Sequence, residues 1–131
     1  MSLLMLFLVF GLGAWSVYWI GLSLQRLKGL KTDEKYVWLS HIAWCYVNLA
    51  IVAIGIFTVA NANITTDFVT TQRNIVAFNI LLDVLYVTAA LLMIKSLNAK
   101  VAGFGAAMKV QGAFLFVFDI VFAAAITLFL L

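Results

Sequence analysis

Asp83 and Asp119 are acidic residues inside long apolar stretches of the sequence, where a membrane would normally exclude them. In helical stretches that begin at Asn74 and Val110, each carboxyl would lie about 13 Å deep, near the middle of a bilayer. A carboxylate at that depth costs about 2.5 to 3.5 kcal/mol on insertion scales, so such groups usually face protein or a water-filled cavity. No Lys or Arg shares this depth, so we expect at least one carboxyl to hold a proton and to donate a hydrogen bond. If both face the protein interior, the pair fits a ligand, proton or ion site; the alternative is a hydrogen-bonded pair that fixes helix register.

Further polar residues share faces of the same predicted helices. Asn79, Asp83 and Tyr86 follow one helical stripe at i, i+4 and i+7, and the same spacing runs from His41 to Asn48. Amide and phenol groups in this setting also serve as hydrogen bonds between helices, so a purely structural role stays open for them. The predicted ligand-binding or proton site consists of Asp83, Asp119, Asn79, Tyr86, Gln111, Asn48, Trp44 and His41.

The sequence predicts no metal site, no cofactor and no catalytic residue. His41 is the single histidine, so a packing histidine is favoured over a metal or haem ligand. Cys45, one turn further on, is more typical of a small apolar residue than of a nucleophile. An enzyme is disfavoured because no positioned nucleophile or phosphate-binding Arg accompanies the two carboxyls, which leaves acid–base chemistry as the enzymatic alternative.

Composition determines the class of protein that must hold these residues. Of the 131 residues 66% are hydrophobic and 10% are charged, against roughly 25% charged in an ordinary soluble domain. This composition excludes a soluble globular protein and a disordered chain. Eight scattered Lys and Arg residues argue against nucleic-acid binding, and a single Cys excludes a disulfide scaffold.

Four apolar runs are long enough to cross a hydrocarbon core of about 30 Å. They cover residues 3–24, 36–60, 74–94 and 110–131, and their short connections leave one domain, residues 1–131. The fold class predicted is an all-α membrane protein, an antiparallel four-transmembrane-helix up-down bundle. Gly29 is expected to end the first helix, Thr32 or Asp33 to cap the second, and Gly103 and Gly105 to interrupt the third connection.

The basic residues predict the orientation. Seven of the eight Lys and Arg residues lie in segments 25–35 and 95–109, which we expect to be cytoplasmic loops. Both termini would then face outward from the plasma (inner) membrane.

The polar positions form a recognisable string: Trp44-Cys-Tyr-Val-Asn48, Phe78-Asn79-Ile-Leu-Leu-Asp83-Val-Leu-Tyr86, Gly103-Phe-Gly105, Gln111-Gly112-Ala-Phe-Leu and Phe118-Asp119. Over roughly the last three quarters of the chain, this string resembles a bacterial family of small four-helix membrane proteins of unknown function. The resemblance implies a four-helix membrane fold and assigns no activity. The family has additional polar residues near His41, where this chain has Leu39 and Ile42.

These residues are compatible with several functions. The first is a binding module that holds a small or lipid-like ligand in a polar interior centred on the two Asp side chains. The second is a proton-coupled small-molecule transporter, which would have to form a homodimer because four helices barely enclose a path. The third is an accessory subunit of a larger membrane complex, with small-residue faces at Gly11 to Gly13 and Ala123 to Ala125. The expected partners are therefore the lipid bilayer, a ligand, and a second copy or a complex, and no nucleic acid.

Overall fold

The computed structural model describes residues 3–30 and 33–131 and consists of four long helices. They are α1 (Leu3–Leu27), α2 (Lys35–Ala60), α3 (Thr66–Met93) and α4 (Ala99–Phe129). Each is long and apolar enough to cross a membrane, and the described residues contain no strand. The prediction of an all-helical chain with four candidate spans is therefore confirmed.

Two helices begin well before the positions that the apolar runs predicted. α3 starts at Thr66 instead of Asn74, because the Thr65 side chain accepts a hydrogen bond from the Phe68 amide and caps the helix. α4 starts at Ala99 instead of Val110, because Asn98 Oδ1 accepts hydrogen bonds from the amides of residues 100 and 101. Most of segment 95–109 is therefore helix and not loop.

The prediction that Gly103 and Gly105 interrupt the connection between the third and fourth helices is wrong. Both are buried within α4, where the lack of a side chain permits close helix packing. A Cβ at Gly103 would lie 2.7 Å from Tyr36 Cβ, and one at Gly105 would lie 2.7 Å from Met93 Cβ. These two glycines bring α4 against the start of α2 and the end of α3.

The turn between α1 and α2 agrees in part with its prediction. Gly29 follows the end of α1 in the left-handed conformation, with φ of 74°, as expected of a residue after a helix C-cap. The cap predicted at Asp33 is wrong, because Glu34 occupies the N-cap of α2 and makes no side-chain hydrogen bond there. The alternative cap Thr32, and Lys31 of the basic segment, lie outside the described residues.

A π-helical segment, Phe7–Gly13, replaces regular α-helix in the first half of α1. A Cβ at Gly11 in this segment would overlap the ring of Phe118 on α4. Leu8 and Leu12 of the same segment line the cavity described below. Such segments often occur at functional sites.

The helices do not pack equally on one another. α3 packs along α4, and α2 packs against α1 and α4, whereas α2 and α3 make almost no direct contact. At the end of the molecule that holds the 61–65 connection, all four helices meet in an apolar cluster. The cluster consists of Leu4, Val59, Val69, Val76, Phe122 and Ile126.

Candidate functional site

A cavity of about 450 Å³ lies between α2 and α3, with α1 and α4 as its remaining walls. Its volume is within the usual range of ligand pockets, about 300 to 1,000 Å³. Most of its lining is apolar, and five polar or acidic side chains beside a tyrosine interrupt it. These six residues are Thr58, Gln72, Asn79, Asp83, Tyr86 and Asp119.

Asp83 of α3 and Asp119 of α4 face each other at this cavity. Their carboxyl groups lie within hydrogen-bonding range, and the side chains are only 3% and 7% exposed. Because a carboxylate only accepts, a hydrogen bond between the two requires that one of them carry a proton. Oδ2 of Asp83 is buried, and apart from the Asp119 carboxyl no described group lies in position to donate to it. A pair that shares one proton keeps further carboxyl oxygens that can accept a hydrogen bond from a bound molecule.

Asn79 and Tyr86 line the same cavity as the two acids, on the helical stripe that their spacing predicted. Gln72 and Thr58 also line it, and the sequence reasoning missed both. Gln72 lies seven residues before Asn79 on the same helical stripe, but the apolar run that predicts the third span begins only at Asn74, after Gln72. Thr58 carried no such signal, since threonine is common in apolar helices.

Gln111 and His41 form a separate hydrogen-bonded cluster and do not line the cavity. Gln111 Nε2 lies 3.0 Å from His41 Nδ1, and Gln111 Oε1 accepts a 2.8 Å hydrogen bond from Trp15 Nε1. Trp15 stacks on Phe114 at a centroid distance of 3.9 Å, and Trp19 stacks on His41 at 4.5 Å. Trp15 was not among the predicted site residues, because nothing in its spacing links it to Gln111 on another helix.

Trp44 and Asn48 lie on α2 outside the cavity lining. The Trp44 ring contacts Tyr86 at a centroid distance of 5.8 Å. Asn48 is 1% exposed, and neither its Nδ2 nor Trp44 Nε1 has a hydrogen-bond partner among the described groups. Of the eight predicted site residues, four therefore share the cavity, two form the Gln111–His41 pair, and Trp44 and Asn48 lie apart from both sets.

The chain matches a known protein family. A family model described as Family of unknown function (DUF6992) matches residues 11–120, a range that contains all eight predicted site residues. It begins within α1, so it extends further towards the N-terminus than the resemblance seen in the sequence. No curated protein and no solved structure matches the chain significantly.

Proposed function

We propose that this chain, which belongs to the DUF6992 family of unknown function, is an integral membrane protein that binds a small or lipid-like ligand between α2 and α3. The observation that carries the proposal is the cavity of about 450 Å³ with the Asp83–Asp119 pair in its wall. An apolar chamber with a few polar groups is the usual design of a site that orients an otherwise apolar guest.

Membrane insertion is supported by the outer surface of the helices. Large apolar side chains point away from the protein on every helix, including Phe10 at 64%, Phe57 at 71% and Leu128 at 76% exposed. A soluble protein rarely exposes so continuous an apolar surface. Lipid is the solvent in which this surface is stable.

An antiparallel up-down bundle is supported by two glycine contacts between α3 and α4. Gly105 approaches Met93, and Gly112 approaches Val87, so the residue numbers rise along one helix as they fall along the other. In such a bundle the basic residues collect at one end, which we assign to the cytoplasm of a plasma (inner) membrane, with both termini outside.

The gap between α2 and α3 supports a ligand that arrives from the bilayer. Ile51, Ile54 and Ile75 line the cavity and are 49%, 67% and 50% exposed. These side chains border both the chamber and the lipid-facing surface. An amphiphile can therefore enter sideways between two helices that scarcely touch.

A purely structural role for the acids accounts less well for the empty volume beside them. This volume opens between α2 and α3, where the lining residues Ile51, Ile54 and Ile75 are exposed at the outer surface, so a molecule from the bilayer can fill it. A pair of acids that only fixes helix register needs no cavity beside it. A ligand in the cavity accounts for its volume and for the two acids in its wall together.

The test is retention of an endogenous molecule after mild extraction. Native mass spectrometry of the wild-type protein should detect a bound amphiphile. Leu82→Trp fills the chamber from α3 and should abolish that adduct, whereas Leu81→Trp, on a 64% exposed neighbour outside the lining, should leave it unchanged. Absence of any adduct on the wild type, or equal retention by both variants, would argue against the proposal.

A proton-coupled transporter is the second candidate function. It is favoured by one observation, two carboxyls that need a shared proton and line a chamber. It requires a homodimer, because four helices do not enclose a complete path. An accessory subunit would instead co-purify with a stoichiometric protein partner.

A further inference from the structure

We propose that the ligand is an amphiphilic amine, held with its protonated nitrogen at the Asp83–Asp119 pair and its apolar body in the rest of the cavity. This inference rests on the proposed function and specifies the chemical class of the ligand. The charge, the acceptors and the aromatic rings of the cavity all favour such a molecule.

The charge of the lining selects against anions. Among the described lining residues there are two acids and no Lys, Arg or His. A phosphate or carboxylate head group would enter a chamber of low polarity beside carboxyls and without a cation, which is strongly unfavourable. A cation placed there would be attracted by the negative charge of the carboxyl pair, which has no positively charged residue beside it.

The acceptors fit an ammonium group. An ammonium nitrogen carries hydrogen-bond donors and no acceptor. The two carboxyls supply acceptor oxygens, and the Asn79 and Tyr86 side chains add further oxygens to the same cavity. A protonated amine can bridge the two carboxyls by replacing the proton that they otherwise share, and such charge-assisted hydrogen bonds are stronger than neutral ones.

The aromatic rings and the volume fit the remainder of such a molecule. The rings of Tyr86, Phe118 and Phe122 line the cavity, and aromatic faces attract organic cations. Leu8, Leu12 and Ile54 supply apolar wall on the other helices. The volume is about 450 Å³, whereas a cavity of about 150 Å³ already admits benzene, so an octyl chain fits.

The test compares three probes that share a chain and differ in the head group. Octylamine, octanol and octanoate are titrated calorimetrically at pH 7 into protein in zwitterionic lipid nanodiscs, with the heats of empty discs subtracted. Octylamine should bind at least tenfold more tightly than octanol, a difference of about 1.4 kcal/mol, and octanoate should not bind. In the double variant Asp83→Asn, Asp119→Asn the amine should lose its advantage while octanol binds within twofold of wild type.

The matched control is Asp67→Asn, an exposed acid in the first turn of α3 outside the cavity lining, which should leave all three affinities unchanged. Octanol binding to the double variant also shows that the chamber is still folded. If octanol binds to wild type as tightly as octylamine, the amine assignment is wrong while ligand binding in the cavity stands. If no probe binds and Leu82→Trp changes nothing, both proposals are wrong.

Discussion

Replacing Gly105 by alanine should destabilise the protein, because this glycine sets the distance between α3 and α4. The added Cβ would lie 2.7 Å from Met93 Cβ, 3.0 Å from the Ile94 nitrogen and 3.1 Å from the Ala90 oxygen. Carbon atoms pack best at about 3.5 to 4.0 Å, so the helices must separate by about 1 Å at this point. Two of the three neighbours are backbone atoms and cannot rotate away. Such overpacking costs about 1 to 3 kcal/mol, and the better helix propensity of alanine returns about 0.5 to 1 kcal/mol. The midpoints of these ranges leave a net fall of about 1 kcal/mol in the free energy of unfolding.

Gly21 provides the matched control for this measurement. It lies within a regular helical part of α1, it is exposed, and no heavy atom lies within 4 Å of the position that its Cβ would take. Gly21→Ala should therefore keep the gain in helix propensity without the clash. Both variants can be unfolded in mixed micelles by titration with a denaturing detergent, with tryptophan fluorescence as the signal. If Gly105→Ala is as stable as Gly21→Ala, the close approach of α3 and α4 is wrong.

Three further predictions concern the polar cluster, the topology and the carboxyl pair. Gln111→Leu removes the hydrogen-bond partner of Trp15 Nε1 and of His41 Nδ1 and should lower the free energy of unfolding by about 1 to 2 kcal/mol. In a protein that already carries Trp15→Phe, the same substitution should cost less. Equal losses in the two backgrounds would refute the hydrogen bond between Trp15 and Gln111. Cys45, the single cysteine, is 0% exposed and should resist maleimide in the native protein. Asn63→Cys in intact cells should then react with an impermeant maleimide, and Leu97→Cys only after permeabilisation; the reverse pattern would invert the proposed orientation. If the transporter hypothesis is correct, wild-type protein in liposomes should couple a pH gradient to cation flux, and the Asp119→Asn variant should not. Absence of flux from the wild-type protein would refute that hypothesis.

The sequence was sufficient to predict the four helices and to single out the two acids. Asp83 and Asp119 are conspicuous because a membrane penalises them, and that penalty directs them to the interior, where the structure brings them together. The first residue of each helix was harder to predict. Hydropathy indicates which residues could lie in lipid, but it does not indicate where the backbone hydrogen bonds of the helix begin. The caps at Thr65 and Asn98 extend two helices into polar sequence.

The sequence did not predict which residues on different helices contact each other. Spacing on one helix does not reveal that Gln111 bonds to His41 and Trp15 rather than to the acids. Gly103 and Gly105 have the composition of a turn, and only the neighbouring backbone shows that they serve close packing. The cavity depends on α2 and α3 lying apart, which no local pattern encodes.

The uneven packing of α2 and α3 also determines where the protein can respond to an occupant. Near Tyr36 and Met93 the two helices are anchored to α4 through glycines with almost no clearance, so these ends are stiff. Beyond the cavity the same helices are joined directly by the 61–65 connection. At that end the helices also meet in the apolar cluster around Leu4 and Ile126, so a guest that pushes α2 and α3 apart strains the cluster and the connection together. A spectroscopic label on Asn63 would report from the surface whether the chamber is filled.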